Sequence, residues 1–365
     1  MVKLGDVCKK GSSNIAQKDL EGHDGNYPIY GASGYIKGVD FYQMENAYIA
    51  VVKDGAGIGR IMKLPGKSSV IGTMQYIIPN DSVDIGYLAY AMEHMNLAKY
   101  YSGATIPHIY FKDYQKELFP LPSLDEQRKI AAVLDKISGL IAKRRQQLDK
   151  LDELVKSRFI EMFGDPETNT KNWRVLPMTR ICSVGSSKRI YQSEQSSSGV
   201  PFWRISDLTN LITTGIVTPE LYISEERYKE LQSQGQVPAP GDILITSRGT
   251  LGQCYIVKRN DRFYFQDGMI SRLSGYIDGV TPLYISYLFA MPGFRKQINS
   301  MQAGSTVAYL SIAMIKRLKV MLPDIKAQQQ FTFFVKQAEA IKSTISRSLE
   351  KLEMLKNALM QRYFM

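Results

Sequence analysis

The chain has only three cysteines, Cys8, Cys182 and Cys254, and three histidines, His23, His94 and His108, in 365 residues. An odd cysteine count with no C-x-x-C spacing excludes a disulfide framework. So few histidines beside them exclude a zinc site, and buried free thiols are expected instead. No run approaches the roughly 20 apolar residues that span a bilayer, and the opening "MVKLGDVCKK" has no apolar signal core. A cytoplasmic protein that leaves the membrane alone is therefore expected. Catalytic motifs are missing as well. "LPGKSS" (Leu64 to Ser69) imitates the end of a phosphate-binding loop, but Ile61 stands where G-x-x-x-x-G-K-[ST] needs glycine. "GAGIGR" (Gly55 to Arg60) ends in arginine where a dinucleotide fingerprint needs its last glycine, so it reads as a glycine-rich turn. With no D/N-P-P-[YFW], no H-E-x-x-H and no nucleophile beside a suitable histidine, the chain is expected to have no active site, no metal and no cofactor of its own.

What is present is positive charge and a repeat. Lys and Arg number 46 against 35 Asp and Glu, a formal net charge of +11, which favours a polyanionic partner, nucleic acid first. The length suggests two or three domains, and 44% hydrophobic against 22% charged residues is ordinary for a globular protein. "LPSLDEQRKI" (Leu121 to Ile130) returns in altered form as "LPDIKAQQQF" (Leu322 to Phe331), 201 residues later. At that offset "SGATIPHIYFKDYQKELFPLP" (Ser102 to Pro122) lies over "AGSTVAYLSIAMIKRLKVMLP" (Ala303 to Pro323), Gln127 over Gln328 and Phe163 over Phe364. Upstream, "DVCKKGSS" matches "RICSVGSS", which makes Cys8 and Cys182 equivalent, and "YLAYAM" (Tyr87 to Met92) matches "YISYLF" (Tyr284 to Phe289). The second copy is longer, mainly through Thr213 to Gln236 ahead of its central strands.

Each copy reads as short strands punctuated by glycine, then a short helix near Gly86 to Tyr101 or Pro282 to Met301, then a long helix. Ser123 should cap the first long helix with Glu126 completing a capping box, and Pro323 and Asp324 should open the second. Steps of four and three run from Ile130 through Leu134, Ile137, Ile141, Arg144, Leu148, Leu151, Val155 and Arg158 to Met162. In the second copy they run from Phe331 through Val335, Ala338, Lys342, Ile345, Leu349, Leu352, Lys356 and Leu359 to Tyr363. Both are coiled-coil seams. The simplest solution pairs them within the chain, antiparallel, as rods of roughly 60 Å at about 1.5 Å per residue. The expected fold is α+β: two tandem globular domains, each followed by a long helix, with the helices paired as an antiparallel coiled coil of pseudo-twofold symmetry. The divisions are 1–122 and 165–322 for the globular parts, 123–164 and 323–365 for the helices.

The stretches Leu121 to Phe159 and Leu322 onward resemble the helical spacers of the specificity subunit of Type I restriction-modification enzymes. "YPIYGASGYI" (Tyr27 to Ile36), "SGATIPHIYFKD" (Ser102 to Asp113) and "GDILITSRGTLGQ" (Gly241 to Gln253) resemble pieces of its target recognition domains. The resemblance implies that each domain reads one half of a split, asymmetric DNA sequence while the helices set the unread spacer. It also implies two DNA methyltransferase subunits that methylate a flipped adenine with S-adenosylmethionine, and ATP-driven motor-nuclease subunits that cut unmodified DNA. This chain departs from the family in its second helix, which lacks the capping glutamate and carries Lys342 and Lys356 on the seam.

Base readers should be polar residues on loops near the glycine turns, where backbone can approach a groove. The candidates are Lys53, Arg60, Thr73, Gln75, His108, Tyr110 and Lys112 in the first domain. In the second they are Arg204, Ser206, Asp207, Ser247, Arg248, Gln266 and Asp267. The competing readings are a coiled-coil scaffold or adaptor that binds protein or RNA, and a specificity chain of another restriction class.

Overall fold

The computed structural model describes residues 1–103, 107–302 and 308–365. The Ala104–Ile106 and Ala303–Val307 parts of the repeated stretch lie outside the described residues. The chain forms two compact units, one of residues 1–148 with 344–365 and one of residues 149–343. Among the described residues, no helix is long and apolar enough to cross a membrane.

In the first unit a four-stranded antiparallel sheet has the order Cys8–Ser12, Met74–Pro79, Tyr48–Val52, Ile61–Leu64. Its centre is the run "YIAVV", whose five side chains are all buried because both sheet faces are covered. A smaller sheet joins the hairpin Tyr27–Gly31 and Gly34–Val39 to Ser69–Val70, the last pair parallel. The second unit repeats the plan with Ser183–Gly185, Ile270–Ser274, Ile243–Thr246 and Cys254–Ile256, again all antiparallel. Its smaller sheet pairs Val200–Trp203 in parallel with Tyr264–Phe265. The extra segment of this copy supplies strand Tyr222–Ile223, which stands beside Val200–Trp203 where Gly34–Val39 stands in the first copy, and helix Glu225–Ser233.

The short helices differ from expectation at their ends. Ile85–Met95 stops at Asn96, which takes a left-handed φ of 50°, and a single 3-10 turn, Leu97–Tyr100, follows. The second copy is two helices, Pro282–Ala290 and Pro292–Ser300. Pro292 has no N–H to continue the first and forces Met291 into extended backbone, at φ −72° and ψ 137°.

The two long helices, Leu124–Phe163 and Ile325–Phe364, carry the predicted seams. Every seam position is buried or half-buried. In the first unit the start of one helix (Ile130, Ala131, Leu134) shares a core with the end of the other (Met360, Phe364). In the second unit Val155, Phe159 and Phe163 share a core with Phe331, Val335 and Ala338. The pairing is therefore antiparallel. The seam lysines find carboxylates, Lys342 at 2.7 Å from Asp152 and Lys356 at 2.8 Å from Glu93. The expected capping box is only half made. The Glu126 N–H donates to Ser123 Oγ at 3.4 Å, while the Glu126 carboxylate turns to Lys129 at 3.9 Å. The second helix is capped by Asp324, which accepts from the Ala327 N–H at 2.9 Å.

The repeated glutamine is the joint between domain and helix. Gln127 Oε1 accepts from the Asp84 N–H at 2.8 Å and its amide donates to the Pro122 and Ser82 carbonyls. Gln328 does the same to the Thr281 N–H and the Pro323 and Gly279 carbonyls, all at 2.9 Å. Each glutamine thus ties the start of the short helix to the entrance of the long one.

The thiols follow the buried reading at Cys8 and Cys182, while Cys254 is half-buried. Burial pushes the Cys8 and Cys182 thiols up to about 12, so almost no thiolate exists at pH 8. Iodoacetamide at that pH is expected to leave both unmodified in the native chain and to label both in urea, as read by peptide mass. Labelling of either at the rate of an unfolded peptide would show the cores to be more open than this.

Candidate nucleic-acid interface

In the first domain the loop from Lys53 to Arg60 carries Gly55, Gly57 and Gly59, all at left-handed φ between 77° and 87°. A Cβ on Gly59 would come within 2.6 Å of the Ala98 nitrogen, so only glycine lets the loop close there. The Lys53 N–H donates to the Thr73 carbonyl at 3.0 Å, and the Lys53 carbonyl accepts from the Ile109 N–H at 3.0 Å. These bonds bring three separate segments, and with them Lys53, Thr73, His108, Tyr110 and Lys112, to one place. His108 Nδ1 hydrogen-bonds Asp54, its ring lies 4.1 Å from that of Tyr110, and Lys112 Nζ sits 5.2 Å over Tyr110. Arg60 is exposed and donates to the Ala32 carbonyl at 2.7 Å. Gln75 is a correction. It is 3% exposed on a central strand and bonded to the buried Tyr114 hydroxyl, so it braces the core and cannot reach a base.

The second domain builds the same frame. The Ser247 N–H donates to the Met269 carbonyl at 2.9 Å and its carbonyl accepts from the Leu310 N–H at 3.0 Å. Arg248 is exposed, with its guanidinium 5.4 Å over the ring of Tyr309, whose hydroxyl donates to the Gly268 carbonyl at 3.0 Å. Beside Gly268, Asp267 pairs with Arg189 at 3.1 Å. Gln266 accepts from the Ile205 N–H at 3.4 Å, which links this turn to Arg204 and the exposed Ser206. Two candidates are corrected. Ser247, 1% exposed, bonds Ser271 Oγ at 3.0 Å inside the sheet. Asp207, 5% exposed, caps the helix Ile205–Thr214 by accepting from the Arg204 N–H at 2.8 Å. Arg204 itself is occupied, with Glu220 at 2.7 Å.

Sequence reasoning missed Asp54, Tyr309 and Arg189 as members of these clusters. Tyr309 was reachable, because it lies 201 residues beyond His108. Among the described residues, no group of His, Cys, Asp or Glu could hold a metal ion. What both clusters offer is exposed cations, hydroxyls and aromatic rings around glycine turns, a surface suited to phosphates and base edges.

The profile of the Type I restriction modification DNA specificity domain matches residues 1–152 and again residues 170–354. The chain belongs to this family. As a Type I specificity chain it is similar to a Haemophilus influenzae protein provisionally named as a type I restriction enzyme specificity subunit, at 24% identity over 334 residues, 89% of this chain and 83% of the relative. It is also similar to the type I restriction enzyme MjaVIII specificity subunit of Methanocaldococcus jannaschii, at 23% identity over 392 residues, 99% of this chain and 90% of that one. Its fold matches the crystal structure of the Type I restriction-modification S subunit from M. genitalium with a TM-score of 0.63 and 15% identity, across 100% of this chain and 95% of the other. The chain thus carries two copies of the family's specificity domain and two long helices.

Proposed function

We propose that this specificity subunit binds a bipartite, asymmetric DNA target, with residues 1–122 and 165–322 each reading one half and the paired helices setting the unread spacer. The observation that carries the reading is the duplicated frame with diverged contents. The same backbone bonds recur around Lys53 and Ser247, yet the exposed side chains beside them differ, as two unlike half-sites require. The basic balance of the chain, +11, supports DNA as the polyanion. Two DNA methyltransferase subunits dock on the helices and domains, and motor-nuclease subunits complete a complex that methylates adenine and cuts unmodified DNA. S-adenosylmethionine and ATP belong to those partners. This chain acts in the cytoplasm without an active site of its own.

Affinity purification of the tagged chain from its host, with native mass spectrometry of what accompanies it, tests the reading. Two methyltransferase copies per chain are the expected result. A self-associated chain with no methyltransferase would favour a coiled-coil scaffold and sink the proposal.

A further inference from the structure

The two clusters share one position whose chemistry is reversed. In the first domain the residue after Lys53 is Asp54, set against His108. In the second the residue after Ser247 is Arg248, set against Tyr309. Lys53 and Ser247 make matching backbone bonds, and Ile109 and Leu310, which follow His108 and Tyr309, donate to them in the same way. The pairs 54 with 108 and 248 with 309 are therefore structural equivalents.

Their hydrogen-bonding capacities are opposite. An ionised Asp54 can only accept, and the His108 nitrogen facing it carries the proton. The second Asp54 oxygen, 3.7 Å from Lys53 Nζ, is a further acceptor. Arg248 offers only donors. Arg189, Arg204, Arg227, Arg262 and Arg272 of the same domain are each matched to a carboxylate. Arg248 has none within ion-pair distance among the described residues, and its guanidinium, on an exposed side chain, lies 5.4 Å over the Tyr309 ring.

We propose that these equivalent pairs are one base-reading position used twice, filled with acceptors in the first domain and donors in the second. The first half-site then presents an exocyclic amino group there, cytosine foremost, and the second presents guanine. In the major groove an aspartate accepts from the cytosine N4 amino group, and an arginine donates to guanine O6 and N7. The inference rests on the bipartite-target reading above.

The test replaces the gene in its host with variants and maps N6-methyladenine across the genome, since the methylated motif reports both half-sites of the intact complex. Arg248→Ala is expected to make one guanine of one half degenerate, with discrimination falling about 10- to 100-fold, while the other half stays sharp. Asp54→Asn is expected to move one cytosine of the opposite half toward adenine, the base an amide reads. The unaffected half controls for folding within each variant. An unchanged motif, a change in both halves, or lower methylation with no change of motif would overturn the assignment. So would complete loss of methylation in Arg248→Ala, Arg248→Gln and Asp54→Asn alike, which would make the pairs structural. A wild-type chain that yields no gene-dependent two-part motif would instead remove the reading on which the inference rests.

Discussion

Phe159→Ala is expected to lower the unfolding free energy of the unit formed by residues 149–343 by about 3 to 5 kcal/mol, the cost of emptying a large aromatic site in a core. Phe159 is fully buried. It stacks on Tyr284 at 5.6 Å between centroids and meets Phe163 at 4.9 Å and Phe331 at 5.4 Å edge-on. One ring therefore joins the end of the first long helix, the start of the second and the short helix of the globular part. None of these can fill the hole, because each is held by its own helix. At about 2 to 4 °C per kcal/mol for a unit of this size, scanning calorimetry should show a fall of roughly 6 to 20 °C in the transition of that unit. A midpoint within about 2 °C of the parent would mean that the aromatic cluster does not hold the helices to the domain.

The second large effect is expected at Gln328. Gln328→Leu keeps the bulk of the side chain and removes its bonds to the Thr281 N–H and to the Pro323 and Gly279 carbonyls, each 2.9 Å in the parent. The side chain is fully buried, so water cannot replace it at the old geometry. Each group left unpaired costs about 1 to 3 kcal/mol. The loss should rival that of Phe159→Ala, and urea titration should show a lower midpoint with an unchanged slope. Gln127→Leu should do the same to the unit of residues 1–148 and 344–365. Stability equal to the parent in both variants would refute the glutamine as the joint between domain and long helix.

These two residues mark what could be read from the chain alone. The offset of 201 already paired Gln127 with Gln328, and the seam steps found the buried Ile130, Leu134, Ile137, Ile141 and Val155, missing only Ala131 in that stretch. Pattern could not supply the reason for the glutamine, since its partners lie 43 and 47 residues away in sequence. Phe159 escaped the seam because at that end the helix packs on the short helix of the domain, at Tyr284, as well as on its partner, at Phe331, so a period of 3.5 no longer selects the whole buried side. Three of the base-reader candidates turned out buried for a related reason. Gln75 and Ser247 are polar and lie near glycine turns, as readers should, and Asp207 is polar at a helix start, but strand centrality and a helix cap turn them inward. Tertiary placement, absent from local pattern, decides that choice.

The core of the first unit draws on both ends of the chain. Leu4, Tyr87 and Leu134 share it with Met360 and Phe364, the last two more than two hundred positions later than Leu134. At a synthesis rate of about 5 to 20 residues per second, the nascent domain waits roughly 10 to 50 s with an apolar surface uncovered. The part of this molecule that is made first is thus the last to be completed. A ribosome that stalls late would release a chain whose second unit has its whole core and whose first does not, a species fit for chaperone capture or degradation.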